Sequence, residues 1–369
     1  MKPGLLPQEA SAVIIGGGIA GIASAWHLAA LGATDVVLLE AEPVLAAHAS
    51  GRNAAIFRPL EESASAIWLA NRSQTLLDAQ LGTSWLKAHG LVLVSAAQQP
   101  IQALRVAAHR YSVFHESWDH QDLDANLPLL QGGEARHAIR LPFGGVMDTA
   151  GVLEHLRRGA LGGGVRICTG VRVDAIETRE QRVTSVLLSD GQRLPTTHVV
   201  LAAGAWASQL GQSAGADLPL TPRRRHLAQL ALEEMPAPTH PVIWRVDDQV
   251  YFRPEGRTVL ASPCDEAPAL AGEPQSDRTA LEPLQRKLSA LAPDLGSAQL
   301  QRTWACLRTM ADDDELVVGA DPRVIGLHWI AGLGGRGMTC GVAAGELLAR
   351  TLSGLPHPLA GKLSPTRLL

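Results

Sequence analysis

The chain has 369 residues, 46% of them apolar and 18% charged, a globular balance in a length that exceeds what one compact core usually holds. Its net charge of −4 gives no general pull toward nucleic acid or acidic membranes, and the one basic cluster, Arg223-Arg224-Arg225, is too short to change that. Cys168, Cys264, Cys306 and Cys340 form no CxxC pair, no histidine cluster has metal-ligand spacing, and no run reaches the length of a membrane span.

Reduced buried thiols and no metal are therefore expected. The opening MKPGLLPQEAS lacks the long apolar core of a signal peptide, so a cytoplasmic setting is the expectation.

The first elements are the most informative. An apolar run at 12–15 meets Gly16-x-Gly18-x-x-Gly21, a helical stretch spans 19–31, and a second apolar run at 36–39 ends on Glu40. Strand, glycine turn, helix, strand and acid in this order form a dinucleotide fingerprint. Gly16 permits the tight turn, Gly18 lets a pyrophosphate approach the backbone, and Gly21 lets helix and strand pack closely. The helix N-terminus offers unpaired N–H groups and a partial positive charge to the phosphates. Glu40 stands nineteen positions after Gly21, where an acid accepts ribose hydroxyls.

A loop follows whose centre, Ser50-Gly51-Arg52-Asn53-Ala54-Ala55, is small and polar. Ser63 reads as the N-cap of a helix with Ala66, Leu69, Ser73, Leu76 and Leu77 on one face. Residues 91–94 read as a strand, 101–111 as a helix, and 123–130 as a short helix stopped by Pro128. A strand at 143–148 leads to a helix at 149–161, a strand at 165–167 and a hairpin of 171–178 with 182–188. The strand at 198–201 closes on Ala202-Ala203-Gly204-Ala205-Trp206, small residues where a backbone can approach a cofactor. Segments 227–232, 242–245, 249–253 and 258–261 read as an antiparallel sheet, followed by a helix at 279–291. The last block returns to the first pattern: a strand at 327–331, a glycine turn at 332–337 and a helix at 338–352.

Alternating α and β with an inserted sheet implies an α/β fold. A Rossmann-like nucleotide domain made of 10–82, 145–215 and 303–356 is expected, interrupted by an antiparallel-sheet substrate domain made of 83–144 and 216–302. Glycine turns recur near Gly204 and at 332–337. A nicotinamide enzyme needs mainly the first turn, whereas a buried flavin needs a second one over its ring, held dry and fixed. The last turn again opens a helix, whose dipole suits the flavin ring edge. It also reads as a strand-to-helix turn with no ligand.

The first motif, His48-Ala49-Ser50-Gly51-Arg52-Asn53-Ala54-Ala55, VVLAAGAWA at 199–207 and GLGGRGM at 332–338 together resemble the D-amino acid oxidase-like superfamily of FAD enzymes. The resemblance runs in order along essentially the whole chain. Within that superfamily, LTPRRRHLAQL, VYFRPEGRTVLASP, RTWACLR and LSPTRLL are most similar to bacterial D-arginine and D-amino acid dehydrogenases. SGRNAAIFRPLEE and LGGRGM are also similar to the flavin domain of a bifunctional tRNA-wobble-uridine modifying enzyme, but the acidic balance gives little grip on tRNA.

The resemblance implies a nucleotide domain of the glutathione-reductase-2 type and one FAD. It implies contacts to that FAD from Gly16, Gly18, Ile19, Ala20, Gly21, Glu40 and Ala41. His48, Ser50, Gly51, Arg52, Asn53, Ala54, Ala55 and Val173 follow, then Ala203, Gly204, Trp206 and Arg308, and finally Gly334, Gly335, Arg336, Gly337, Met338 and Thr339. His48 reads as a solvated loop histidine, a flavin contact or a covalent tether. The family pairs the substrate α-carboxylate with an arginine at the Arg308 position and a tyrosine at the Tyr251 position. A planar guanidinium grips a carboxylate bidentately, which fits that role. Each also reads structurally, as an ion pair and as a sheet residue. Trp244, Arg58 and Gly337 are further candidates for the substrate wall, Trp244 reading equally as sheet packing.

The arginine dehydrogenase carries a histidine, a threonine and a tyrosine where this chain has Ile56, Arg58 and Glu61, and its guanidinium-binding glutamate falls near Gly90. An arginine substrate is therefore not expected. The implied reaction is oxidation of the C–N bond of a small amino acid, with a D-amino acid first and a glycine- or sarcosine-type amine as alternative. A hydride passes to flavin N5, and the imine hydrolyses to a 2-oxo acid and ammonia. Oxygen or a quinone is the expected electron acceptor. No acid–base residue stands out, and Glu61 and Glu62 read as the start of the next helix or as lining the entrance of the site. A FAD-binding subunit that needs a partner chain, or an oligomer, stays open.

Overall fold

A computed structural model describes residues 6–369; Met1–Leu5, the beginning of the segment read for a signal peptide, lie outside the described residues. The strand Ala10–Ile15 is buried on nearly every residue, so it lies inside a sheet covered on both faces. It pairs in parallel with Val36–Glu40 on one side and with Arg193–Leu201 on the other. Arg166–Thr169 adds in parallel beyond Val36–Glu40, and Leu327–Ala331 adds in parallel to Arg193–Leu201. The hairpin Val173–Arg179 and Arg182–Leu188 and the strand Val317–Ala320 complete eight strands.

Alternate residues feed two layers. Ile14, Leu38, Val200 and Ile330 face the helices Ile19–Ala30 and Gly337–Leu352. Val13, Val37, Val199, Leu201 and Trp329 face the other side. The two helices touch almost backbone to backbone. A Cβ on Gly341 would stand 2.7 Å from Ile19 Cγ1, and one on Gly345 2.7 Å from Ala23 Cβ. Four residues apart, these glycines share one helix face. They bring the two helix N-termini side by side at the same end of the sheet. The strands on either side of Ala10–Ile15 are reached by different connections, so the crevice at its carboxyl end lies at a topological switch point, where ligands bind in such sheets.

A second sheet of nine strands carries the other wall. Near one edge runs the long strand Leu220–Ala231, which pairs along its whole length with Gln299–Ala311 and, near its end, with Thr258–Ser262. The anticipated domain boundary at residue 303 falls inside Gln299–Ala311, and that strand runs entirely with the second sheet. The sheet is antiparallel except for one pair, Val242–Arg245 beside Leu91–Ser95. A three-strand patch, Ile56–Phe57, Gly145–Met147 and Leu86–Lys87, bridges the two halves.

The helix Ala64–Leu81 starts as expected, with the Ser63 hydroxyl accepting from the Ala66 N–H. The helix read at 123–130 is instead His120–Asn126, capped by Asp119, and Pro128 opens a separate 3-10 turn. Among the described residues, no helix is long and apolar enough to cross a membrane, and no group of three or more metal-ligating side chains forms. The four cysteines are unpaired.

Candidate functional site

One cavity of about 850 Å³ runs between the two sheets, a size typical of ligand pockets. It begins at the first glycine turn. Gly16 has φ +110°, and a Cβ there would lie 2.5 Å from the Ala202 carbonyl oxygen, so only glycine lets the two strand ends close together. The helix behind it has no side-chain cap at Gly18 and no acid in its first turn, leaving its positive end turned to the cavity. The Ser50 hydroxyl accepts from the Ile19 N–H at 2.9 Å, fixing the loop 46–55 over this turn. Glu40 accepts from the Gly17 N–H at 2.6 Å and from the Glu42 N–H at 2.8 Å. Glu40 lines the cavity, and each of its oxygens keeps a further lone pair.

Beside it, the helix Gly337–Leu352 also lacks a capping side chain and a first-turn acid. The cavity therefore has two uncapped helix N-termini, each with N–H groups free of intrahelical partners. Anions or electron-rich oxygens at both ends match such a cradle. A long ligand with phosphates near Gly18 and a polar ring edge near Met338 and Thr339 fits it.

The structure brings nearly all the anticipated cofactor residues onto this wall. Ile19, Ala20, Glu40 and Ala41 line it, as do His48, Ser50, Arg52, Asn53, Ala54 and Ala55. So do Val173, Ala203, Gly204, Trp206, Arg308, Gly334, Gly335, Arg336, Gly337, Met338 and Thr339. Gly21 and Gly51 stand outside it. A Cβ on Gly21 would sit 1.9 Å from the Gly16 carbonyl oxygen, and one on Gly51 2.3 Å from that of Ala46, so both serve backbone packing. His48 stacks near Trp206 at 4.9 Å, and its Nε2 is 3.0 Å from the Glu42 carboxylate.

The substrate candidates cluster on the second sheet. Tyr251 and Trp244 are directly opposite in the strand register, with ring centroids 4.7 Å apart. The Arg58 guanidinium lies over the Trp244 ring at 4.9 Å, and its Nε donates to the Leu60 carbonyl at 2.8 Å. Tyr251 is 2% exposed, and burial holds its phenol above the usual tyrosine range. Arg308 comes from the middle of Gln299–Ala311, and a Cβ on Gly335 would lie 3.0 Å from its Nη1. The glycine turn thus leaves room for the guanidinium. Among the described residues, no carboxylate offsets Arg308, whose exposed part faces the cavity.

Several wall residues escaped the sequence reading. Arg225 is buried and tied to Glu266 at 2.5 Å, and Cys264 and Cys306 lie beside Arg308. Glu61 is the one buried carboxylate on the wall, and it forms no hydrogen bond among the described residues. Burial raises its carboxyl above the ordinary glutamate range, with Arg58 and Arg336 pulling the other way. Only its neighbour Pro59-Leu60, an apolar anchor before the N-cap, hints at this in sequence. Gly90 lies off the wall with its Cα side facing Arg140, so no acid waits there for a guanidinium substrate.

Residues 11–351 match the sequence model of the FAD dependent oxidoreductase (DAO) family. The chain is 26% identical to mitochondrial sarcosine dehydrogenase of Mus musculus over 93% of this chain and 40% of that protein. It is 24% identical to D-amino acid dehydrogenase of Bradyrhizobium diazoefficiens over 93% of this chain and 94% of the relative. It spans about two fifths of the length of the curated relatives it matches first. Among solved structures, L-proline dehydrogenase from P. horikoshii superposes with a TM-score of 0.88 over 98% of each chain at 19% identity.

Proposed function

Because this chain belongs to the FAD-dependent oxidoreductase (DAO) family, we propose that it oxidises the C–N bond of a small amino acid bearing a free α-carboxylate, a D-amino acid where a side chain is present. The observation that carries this reading is Arg308, a guanidinium on the cavity wall with no carboxylate to offset it. A buried charge without a partner is costly, and a ligand carboxylate removes that cost.

Gly16, Gly18 and the Ile19–Ala30 N-terminus hold the pyrophosphate of FAD in this reading, Glu40 takes the ribose, and Gly337, Met338 and Thr339 face the ring. When bound, FAD supplies a two-electron acceptor for the hydrogen on the carbon next to nitrogen. The chain's own residues do the rest. Arg308 takes the carboxylate in a forked pair, and Tyr251 adds one donor on a side chain that burial keeps protonated. Trp244, in contact with both Arg58 and Tyr251, walls off the side-chain end of the pocket and excludes water. Fixing both ends of a small molecule places its C–H bond in one orientation, which is where such sites gain most of their rate.

A secondary amine such as an N-methyl amino acid is the second reading, favoured by the likeness to a sarcosine dehydrogenase. The deciding experiment is anaerobic mixing of the purified yellow protein with glycine, sarcosine, proline and D- and L-amino acids. Bleaching by a carboxylate-bearing amine supports the proposal, and re-oxidation in air or by a quinone assigns the acceptor. No bleaching by any amine overturns it in favour of a FAD-binding subunit.

A further inference from the structure

We propose that Glu61 is the residue that receives the substrate's ammonium group and takes its proton, making the pocket a two-ended receptor for zwitterions. The inference rests on the carboxylate reading of Arg308 and adds the opposite pole.

Glu61 is 6% exposed and lines the cavity. Its position is held from both sides. Leu60 is fully buried, and its carbonyl accepts from Arg58 Nε, while Ser63 caps the next helix and donates to Glu315 at 3.1 Å. The carboxyl therefore cannot swing into solvent with its loop.

The other carboxylates on this wall are already engaged or wet. Glu40 accepts two backbone N–H groups, Glu42 pairs with His48, and Glu266 pairs with Arg223 and Arg225. Asp174 pairs with Arg172, Asp248 lies 3.5 Å from Arg245, and Asp314 and Glu62 are exposed. Asp248 Oδ1 is also buried without a hydrogen bond, but it faces the Arg245 guanidinium; Glu61 is the buried carboxylate of this wall that has neither a hydrogen bond nor an ion pair among the described residues. Polar groups stay buried and unbonded where a ligand completes them.

Charge points the same way. A zwitterion gripped by Arg308 brings a cation into a cavity whose other buried charges, Arg58 and Arg225, are positive. Glu61 is the one buried group of opposite sign. The groups facing it are Arg58 and Glu62 from its own loop and Arg336 and Cys340 from the C-terminal helix and its cap. Burial outweighs the two arginines and lifts the carboxyl above the ordinary glutamate range, which brings it closer to an amine as a proton acceptor.

The step moves one proton. An N–H bond of the ammonium breaks, an O–H bond forms on Glu61, and no electrons change hands. The amine is left neutral with its lone pair free, the form in which the adjacent C–H can be oxidised.

The test uses the flavin-loaded protein. In the wild type, log kcat/KM against pH should show an acid limb centred above the ordinary glutamate value of about 4.3. Glu61→Gln, which keeps the shape, should erase that limb and lower kcat/KM near neutrality by about 100-fold, within the range of acid–base groups. Glu61→Asp should keep the limb. Acetate, a carboxylate without an amine, should still perturb the flavin spectrum of Glu61→Gln at close to wild-type concentrations.

A wild-type profile without the limb overturns the proposal whatever the variants do. So does a limb that survives Glu61→Gln, or equal weakening of acetate and amino acid, which marks a merely structural role. Failure of the carboxylate reading shows separately, as acetate binding that Arg308→Ala leaves unchanged.

Discussion

Replacing Arg308 with alanine tests the proposed substrate grip directly. The guanidinium sits mid-strand on Gln299–Ala311, faces the cavity and has no carboxylate partner among the described residues. A forked pair with a ligand carboxylate makes two charge-assisted hydrogen bonds, each worth about 1.5–3 kcal/mol. Tyr251 and water entering the vacated space recover part of this. The net loss is then about 3–4 kcal/mol, or roughly 10²–10³ in kcat/KM for a carboxylate substrate. Amines without a carboxylate should lose little, so the preference between the two classes collapses.

Stability supplies the control. Removing one partner of a structural ion pair costs about 3–5 kcal/mol because the other charge is left buried. Arg308→Ala leaves no such charge, so Tm should hold or rise. The assay is the anaerobic reductive half-reaction over a range of substrate concentrations, with a melting curve on the same sample. A change in kcat/KM under about threefold, or a Tm lowered by several degrees with substrate kinetics intact, refutes the assignment.

Glu40→Ala removes the carboxylate that holds the Gly17 and Glu42 N–H groups, and FAD affinity measured by reconstitution of the apoprotein should fall about 10–100-fold; unchanged affinity would show that the acid serves the loop alone. Gly21→Ala forces a Cβ to 1.9 Å from the Gly16 carbonyl oxygen, so the purified protein should be colourless or insoluble, and full flavin content would contradict the packing role. The segment 263–278 is tied across the cavity mouth by Glu273 to Arg52 and His48 and by Asp277 to Arg224. Such exposed pairs are weak and screened by salt, so proteolytic cutting in this segment should increase with ionic strength, and cutting indifferent to salt would count against the tie.

His27 and His328 are held near a pKa of about 4 by burial, below the free value of 6.5. Between those values the unfolded chain binds more protons than the folded one, so the stability these residues confer is present above about pH 6.5 and is lost as pH falls toward 4, by about 3 kcal/mol each. His27→Gln should flatten that slope in melting curves, and an unaltered slope would refute it.

The nucleotide half of the fold was readable because its signals are local. Gly16, Gly18 and Gly21 sit within one turn, the helix follows at once, and Glu40 closes the next strand. The substrate half depends on distant pairing. Gln299–Ala311 begins with four exposed residues, Leu300 among them, and its long register with Leu220–Ala231 makes it a strand. The helix read from residue 279 starts regular α geometry at Glu282, since Pro283 lacks an N–H and fits only a first turn. Arg308 and Tyr251 entered through resemblance, and their convergence in space was not written in spacing. Glu61 reads from sequence as a helix start or an entrance residue, because sequence shows its position before the Ser63 cap but not the buried cavity that the C-terminal helix builds beside it.

The cavity's construction also separates two kinds of failure among these variants. Its walls come from the first glycine turn, the last glycine turn and the strands of the second sheet, which meet nowhere else in the sequence. A ligand that bridges them adds RT ln(1 + [L]/Kd) to stability, about 2.7 kcal/mol at a hundredfold excess over Kd. The two helix N-termini lie side by side and turn positive charge toward the cavity until an electron-rich ligand covers them. Damage at Gly21 or Glu40 therefore acts on flavin retention, and activity and Tm fall together. Damage at Arg308 or Glu61 lies on the substrate side, where the protein should stay yellow and stable while turnover falls. Flavin content measured beside kinetics thus tells cradle from receptor, and a colourless Arg308 or Glu61 variant would mean that the two functions share one set of residues.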